Sequence, residues 1–127
     1  MDRIGDDQEG FSVGYDPVKG IILVIAWGFW SAEVATAFAT KVATACRERK
    51  GAAGLVLDMK DLKPMREEGQ RSFATLMKSL PSLGISSASV LTTSHLTKLQ
   101  LVRLATENGA GAGVEWISAT NDQGRNA

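Results

Sequence analysis

Two regimes of apolar spacing alternate along the chain. Phe11-Ser12-Val13-Gly14-Tyr15 alternates apolar with small or polar residues, and Ile21-Ile22-Leu23-Val24-Ile25-Ala26-Trp27 is an unbroken, largely β-branched run. The first predicts an edge strand and the second a central one. Asp16-Pro17-Val18-Lys19-Gly20 between them has turn chemistry, because Pro fixes one φ and Gly permits another, so the opening pair is expected to be antiparallel. From Ser31 the period changes. Val34, Ala35, Phe38, Val42, Ala45 and Cys46 recur at three and four, with Thr36, Thr40, Lys41, Thr44 and Arg47 on the other side. This predicts a helix capped by Ser31, closed by Arg47, Arg49 and Lys50 at its negative end and stopped at Gly51.

Leu55-Val56-Leu57 then reads as a short buried strand ending at Asp58. A second helix is expected over Arg66 to Leu80, with Gly69, Phe73, Leu76, Met77 and Leu80 along one side and Pro81 just past its end. Ala88 to Thr92 is again a strand. Ser94 caps a third helix through Glu107, with Leu96, Leu99, Val102 and Ala105 expected inward and Asn108-Gly109 as its stop. Val114 to Ile117 forms the last strand. The order β-β-α-β-α-β-α-β implies parallel pairing through right-handed crossovers. The expected fold is therefore a single-domain, mixed α/β sheet, mostly parallel, with an antiparallel N-terminal strand. It should occupy residues 11–119, between an acidic, frayed start at 1–10 and a polar tail at 120–127.

Composition narrows the function. The 127 residues suffice for one core, and 14 Lys and Arg offset 14 Asp and Glu, which argues against nucleic acid as a partner. Ile21 to Trp27, the longest apolar run, is far short of the ~20 residues of a membrane-spanning helix. A lone cysteine, Cys46, cannot form an internal disulfide, so a reducing, cytoplasmic setting is expected. His95 is the single histidine, and no Gly-x-Ser-x-Gly or Gly-Lys-Ser/Thr stretch is present. Gly109-Ala110-Gly111-Ala112-Gly113 follows a helix and precedes a strand, the reverse of a phosphate-binding loop. No catalytic residue, metal or organic cofactor is expected.

Candidate chemistry gathers at two places. Asp58 with Asp61, around Lys60, stands at a strand end, and Glu67 with Glu68 opens a helix where its dipole favours acids. Trp27-Gly28-Phe29-Trp30 collects aromatic rings at a strand-to-helix junction, suited either to an interface, including self-association as a homodimer, or to closing one end of the core.

Leu55-Val56-Leu57-Asp58-Met59-Lys60-Asp61-Leu62-Lys63-Pro64-Met65-Arg66-Glu67-Glu68-Gly69 resembles the central segment of STAS domains, the bacterial anti-sigma factor antagonists and their SpoIIAA-like relatives. Those have a strand ending in Asp, a short loop, then Asp-Ser-Ser-Gly opening a helix. Here Gly69 matches the glycine, Arg66 replaces the aspartate, and Glu68 stands at the position of the serine that is phosphorylated in the family. The resemblance implies a non-enzymatic, regulatory domain that binds a protein partner through this loop and helix start, at Asp58, Arg66, Glu67, Glu68 and Gly69. The phosphorylation switch would be fixed or lost. A glutamate supplies one permanent charge where phosphoserine supplies about 1.5 to 2. An alternative implied by the grouping of some SpoIIAA-like domains with lipid carriers is an apolar small-molecule or lipid site around Phe29, Trp30 and Met65.

Overall fold

Strand Ile21–Gly28 buries Ile22, Val24 and Ala26 and leaves Ile21, Leu23, Ile25 and Trp27 half-buried. Its β-branched run therefore has one covered face. The same alternation marks residues 55–59 of one neighbouring strand, while residues 10–13 of the other are all buried, in the computed structural model, which describes residues 2–49 and 51–118. In chain order the elements are β1 (Asp2–Gly5), β2 (Glu9–Asp16), β3 (Ile21–Gly28), α1 (Ala32–Glu48), β4 (Gly54–Leu62), α2 (Glu67–Ser79), β5 (Ala88–Thr92), α3 (His95–Glu107), a 3-10 turn (Gly111–Gly113) and β6 (Val114–Ser118). The sheet has six strands in the order β1-β2-β3-β4-β5-β6. β1 and β3 flank β2 antiparallel, and β3 through β6 run parallel. The expected mixed α/β architecture is thus observed, with one strand more than the pattern predicts.

Each parallel crossover advances one strand in the same direction. Right-handed connections then place all three helices on one face of the sheet. The core lies there, where Phe11, Ile22, Val24, Leu55, Leu57 and Val90 meet Phe38, Val42, Phe73, Leu76, Met77 and Leu101. Ser31 caps α1 as its position predicts, its hydroxyl accepting the Val34 amide N–H at 3.4 Å while Glu9 accepts the Ser31 amide at 2.5 Å. Ser94 does the same for α3 with the Thr97 amide, 3.2 Å.

Three expectations are corrected. The acidic start is not frayed over Asp2–Gly5, which pairs with Gly10–Val13, and Asp6 Oδ1 accepts the amides of Gln8 (2.8 Å) and Glu9 (3.2 Å) to make the turn. Backbone pairing, invisible in side-chain pattern, orders this strand, and β2 is consequently an interior strand, not an edge. Leu96 and Leu99 do not face inward: α3 buries Thr97, Leu101, Leu104 and Ala105, leaving Leu96 68% and Leu99 53% exposed. The Thr97 hydroxyl donates to the Leu62 carbonyl at 3.1 Å, an inward bond that fixes the helix rotation. Finally, the strand after α1 continues past Asp58 to Leu62. Lys50, Ala119 and the 120–127 tail lie outside the described residues.

Candidate functional site

The carboxyl ends of the parallel strands carry the segment between β4 and α2. It begins with a bulge: Ile25 pairs with Asp58 but Trp27 pairs with Asp61, so three steps of β4 oppose two of β3. The displaced backbone is collected by side chains. Asp58 Oδ1 accepts the Lys60 amide at 3.2 Å and its other oxygen lies 3.6 Å from Lys60 Nζ, while the Thr93 hydroxyl donates to the Lys60 carbonyl at 2.6 Å. Asp58 therefore sits within β4, between Ile25 and Leu91 on the sheet face away from the helices. Its position within β4 separates it from Arg66, Glu67, Glu68 and Gly69 at the start of α2.

Beyond the bulge the loop is clamped from α3 and α2. The Lys63 amide donates to the Gly28 carbonyl at 3.0 Å. Gln100 pairs with Met65 through both ends of its amide, Oε1 accepting the Met65 N–H at 2.6 Å and Nε2 donating to the Met65 carbonyl at 2.9 Å. Gln70 Nε2 donates to the same carbonyl at 3.1 Å, and Arg103 in turn donates to Gln70 Oε1 at 3.0 Å. Met65 is buried and rests on Gly69, where an added Cβ would stand 2.9 Å from Met65 Cβ and 3.0 Å from its Sδ. Gly69 is thus a seat for Met65, buried within the protein.

The remaining helix-start residues are at the surface. Arg66, the N-cap of α2, makes no side-chain capping bond, and its guanidinium stacks 4.2 Å from the centroid of the Phe29 ring. Glu67 is exposed and pairs with Arg71 at 3.3 Å, an i,i+4 bridge worth about 0.3–0.5 kcal/mol. Glu68 is half-buried and joins no ion pair among the described residues.

The aromatic cluster is divided. Trp30 is 2% exposed, packed 5.0 Å from Phe38 and 5.9 Å from Phe11 by ring centroids, with Nε1 donating to the Gly10 carbonyl at 3.1 Å. It is core, because its turn at the start of α1 points it between helix and sheet. Trp27 lies half-buried on the opposite sheet face, with Arg3 stacked at 5.2 Å and Nε1 donating to the Asp6 carbonyl at 2.8 Å. Phe29 alone, 46% exposed, joins the strand-end surface. His95 is exposed at the first residue of α3, beside Leu96.

The surface so assembled comprises Phe29 on Arg66, Glu67 and Glu68 at the start of α2, and Leu96 with Leu99 on α3. The two leucines are the part sequence reasoning missed. The signal was the polar Thr97, whose burial turns the helix, together with apolar residues at 96, 99, 101, 102 and 104 that exceed one stripe. Among the described residues no three His, Cys, Asp or Glu side chains are placed to hold a metal ion. Nor is any helix there long and apolar enough to cross a membrane. Cys46 is buried, and burial pushes its thiol above the ordinary value, with Arg47 pulling weakly the other way.

No family model matches the chain, and no curated protein matches it in sequence. Among solved structures, the NMR structure of the protein TM1081 is similar at a TM-score of 0.58 and 15% sequence identity, over 99% of this chain and 94% of that one. At that identity the likeness extends to the fold, which the two chains share along nearly their whole lengths.

Proposed function

We propose that this chain is a non-catalytic regulatory domain, STAS-like in the manner of anti-sigma factor antagonists, that binds a protein partner at the carboxyl ends of its strands. The observation that carries the reading is the exposure of Phe29, Leu96 and Leu99 around a loop held by side-chain clamps. Apolar anchors on a frame that is already ordered bind without a large entropic cost of ordering, which is how a small patch supports specific association. Arg66, Glu67 and Glu68 supply a polar rim in the segment that resembles the family's contact region. Glu68 gives that rim a permanent negative charge in place of a reversible one. A cytoplasmic setting fits the buried, unpaired Cys46.

The test begins with affinity capture of the tagged chain from its own cells and identification of what co-purifies, followed by titration of the purified partner. Leu96→Ser is expected to weaken binding about tenfold or more, equivalent to about 1.4 kcal/mol, and Glu68→Lys to weaken it with little change in unfolding midpoint. Affinity unchanged in both variants removes this surface from the interaction.

A further inference from the structure

The opposite end of the sheet holds a cleft of about 450 Å³ between the loop from α2 to β5 and the loop from α3 to β6. Leu80, Ile85, Ala88 and Ala110 form its apolar wall, and Ser86 and Gly113 stand at its rim. The volume lies within the range of small-molecule sites, roughly 300–1,000 Å³. No residue lining it carries a charge.

Two further features speak to an occupant. Gly113 adopts no left-handed φ, and a Cβ added there would meet nothing nearer than the Ser86 carbonyl oxygen at 3.8 Å. Neither backbone conformation nor the chain's own packing requires glycine at this position, so the room beside it is space the protein leaves unused. Second, α2 and α3 both run their carboxyl ends to this cleft; the last turn of α2 carries Lys78, which does not line the cleft, and the last turn of α3 carries no basic residue. The negative end of the α3 dipole, with no basic residue in its last turn and no cation in the cleft lining, opposes an anion and favours a group that donates a hydrogen bond. The Ser86 hydroxyl makes no hydrogen bond among the described residues and is exposed at the rim, where it can accept one.

We infer that this cleft binds a neutral, largely apolar small molecule bearing a hydrogen-bond donor, and discriminates against anions of the same shape. The site is at the far end of the strands from the proposed partner surface and does not depend on it. Gly109, Ala110 and Gly113 of the glycine-alanine stretch form one side of the opening.

N-phenyl-1-naphthylamine, neutral with one N–H, and its sulfonated analogue 1-anilinonaphthalene-8-sulfonate form a matched pair of fluorescent probes. The full chain should bind the neutral probe saturably, with amide shifts in a nitrogen-15 correlation spectrum concentrated at Ser86 to Ala88 and Gly109 to Gly113. The sulfonate should bind at least about tenfold more weakly. Gly113→Leu, and independently Ser86→Trp, should weaken the neutral probe about tenfold, whereas Leu96→Ser at the other end leaves it unchanged. Absence of saturable binding, shifts centred on Leu96 and Leu99 or on the uncovered sheet face, or full affinity in folded Gly113→Leu and Ser86→Trp would overturn the site. Equal affinity for the two probes would overturn its discrimination by charge.

Discussion

Replacing Gly69 by Ala sets two effects of known size against each other. Within a helix the change removes a penalty of about 1 kcal/mol, since glycine is the poorer helix former. Yet the new Cβ would stand 2.9 Å from Met65 Cβ and 3.0 Å from Met65 Sδ, against the 3.5–4.0 Å of ordinary carbon contacts. The thioether can swing away, but Met65 Cβ follows its backbone, which is held by Gln100 at 2.6 and 2.9 Å and by Gln70 at 3.1 Å. Overpacking of this kind costs about 1–3 kcal/mol, and the pinned backbone places Gly69→Ala toward the upper part of that range. The expected net loss is about 1–2 kcal/mol, read as a fall in the urea midpoint at constant slope. Releasing the clamp should relieve the conflict. In a Gln100→Ala background the same substitution is expected to cost about 1 kcal/mol less, a coupling that a double-mutant cycle measures. If Gly69→Ala instead raises stability by about 1 kcal/mol, helix propensity alone governs the position and the seat for Met65 does not exist.

Trp30→Ala should cost about 3–5 kcal/mol in denaturant unfolding, since it empties a ring-lined core position and removes the bond to the Gly10 carbonyl, while Phe29→Ser should stay within about 0.5 kcal/mol. Light scattering that showed Trp30→Ala folded normally with altered self-association would return that ring to an interface. The buried Cys46 thiol titrates above its ordinary range, so between the unfolded and folded values the native state holds the extra proton. Its contribution is present below the unfolded thiol pKa and is lost as pH rises through the folded one, at up to about 1.4 kcal/mol per pH unit. Cys46→Ala should flatten that part of the alkaline stability profile, and an unchanged slope would remove the thiol from it. Gln100→Glu keeps an acceptor for the Met65 amide but turns a carboxylate toward the Met65 carbonyl; a loss of about 1–3 kcal/mol at neutral pH is expected from urea melts.

Side-chain periodicity made the sheet and helices legible wherever burial is one-sided. Ile22, Val24 and Ala26 alternate, Phe38 and Val42 recur at helical spacing, and Ser31 and Ser94 cap where their positions say they should. The parts that escaped are those ordered by backbone groups or by polar side chains turned inward. β1 contributes only half-buried Ile4 to the core and holds by ladder bonds to β2. Thr97 occupies a core position because the Leu62 carbonyl needs a donor, and that single bond reverses which leucines of α3 meet solvent. The bulge after Asp58 has no pattern in the apolar residues, since Met59 and Leu62 are both buried only once the register has shifted. The glycine at 69 was legible as part of the inward side of the second helix, and the structure shows why it is small: it packs against Met65.

The clamp also bears on how the proposed surface would be regulated. A modification switch works by biasing an element with two arrangements of similar energy. Here the loop between β4 and α2 is tied by the Thr97 bond to Leu62, the Lys63 bond to Gly28, and the Gln100 and Gln70 bonds to Met65. At about 0.5–1.5 kcal/mol net for each bond, releasing the loop would cost several kcal/mol, far beyond what one charge at the half-buried Glu68 alters. On the proposed reading the surface therefore stands permanently in one geometry. Occupancy then follows partner concentration, and the charge at residue 68 selects which partner binds without changing the shape presented to it.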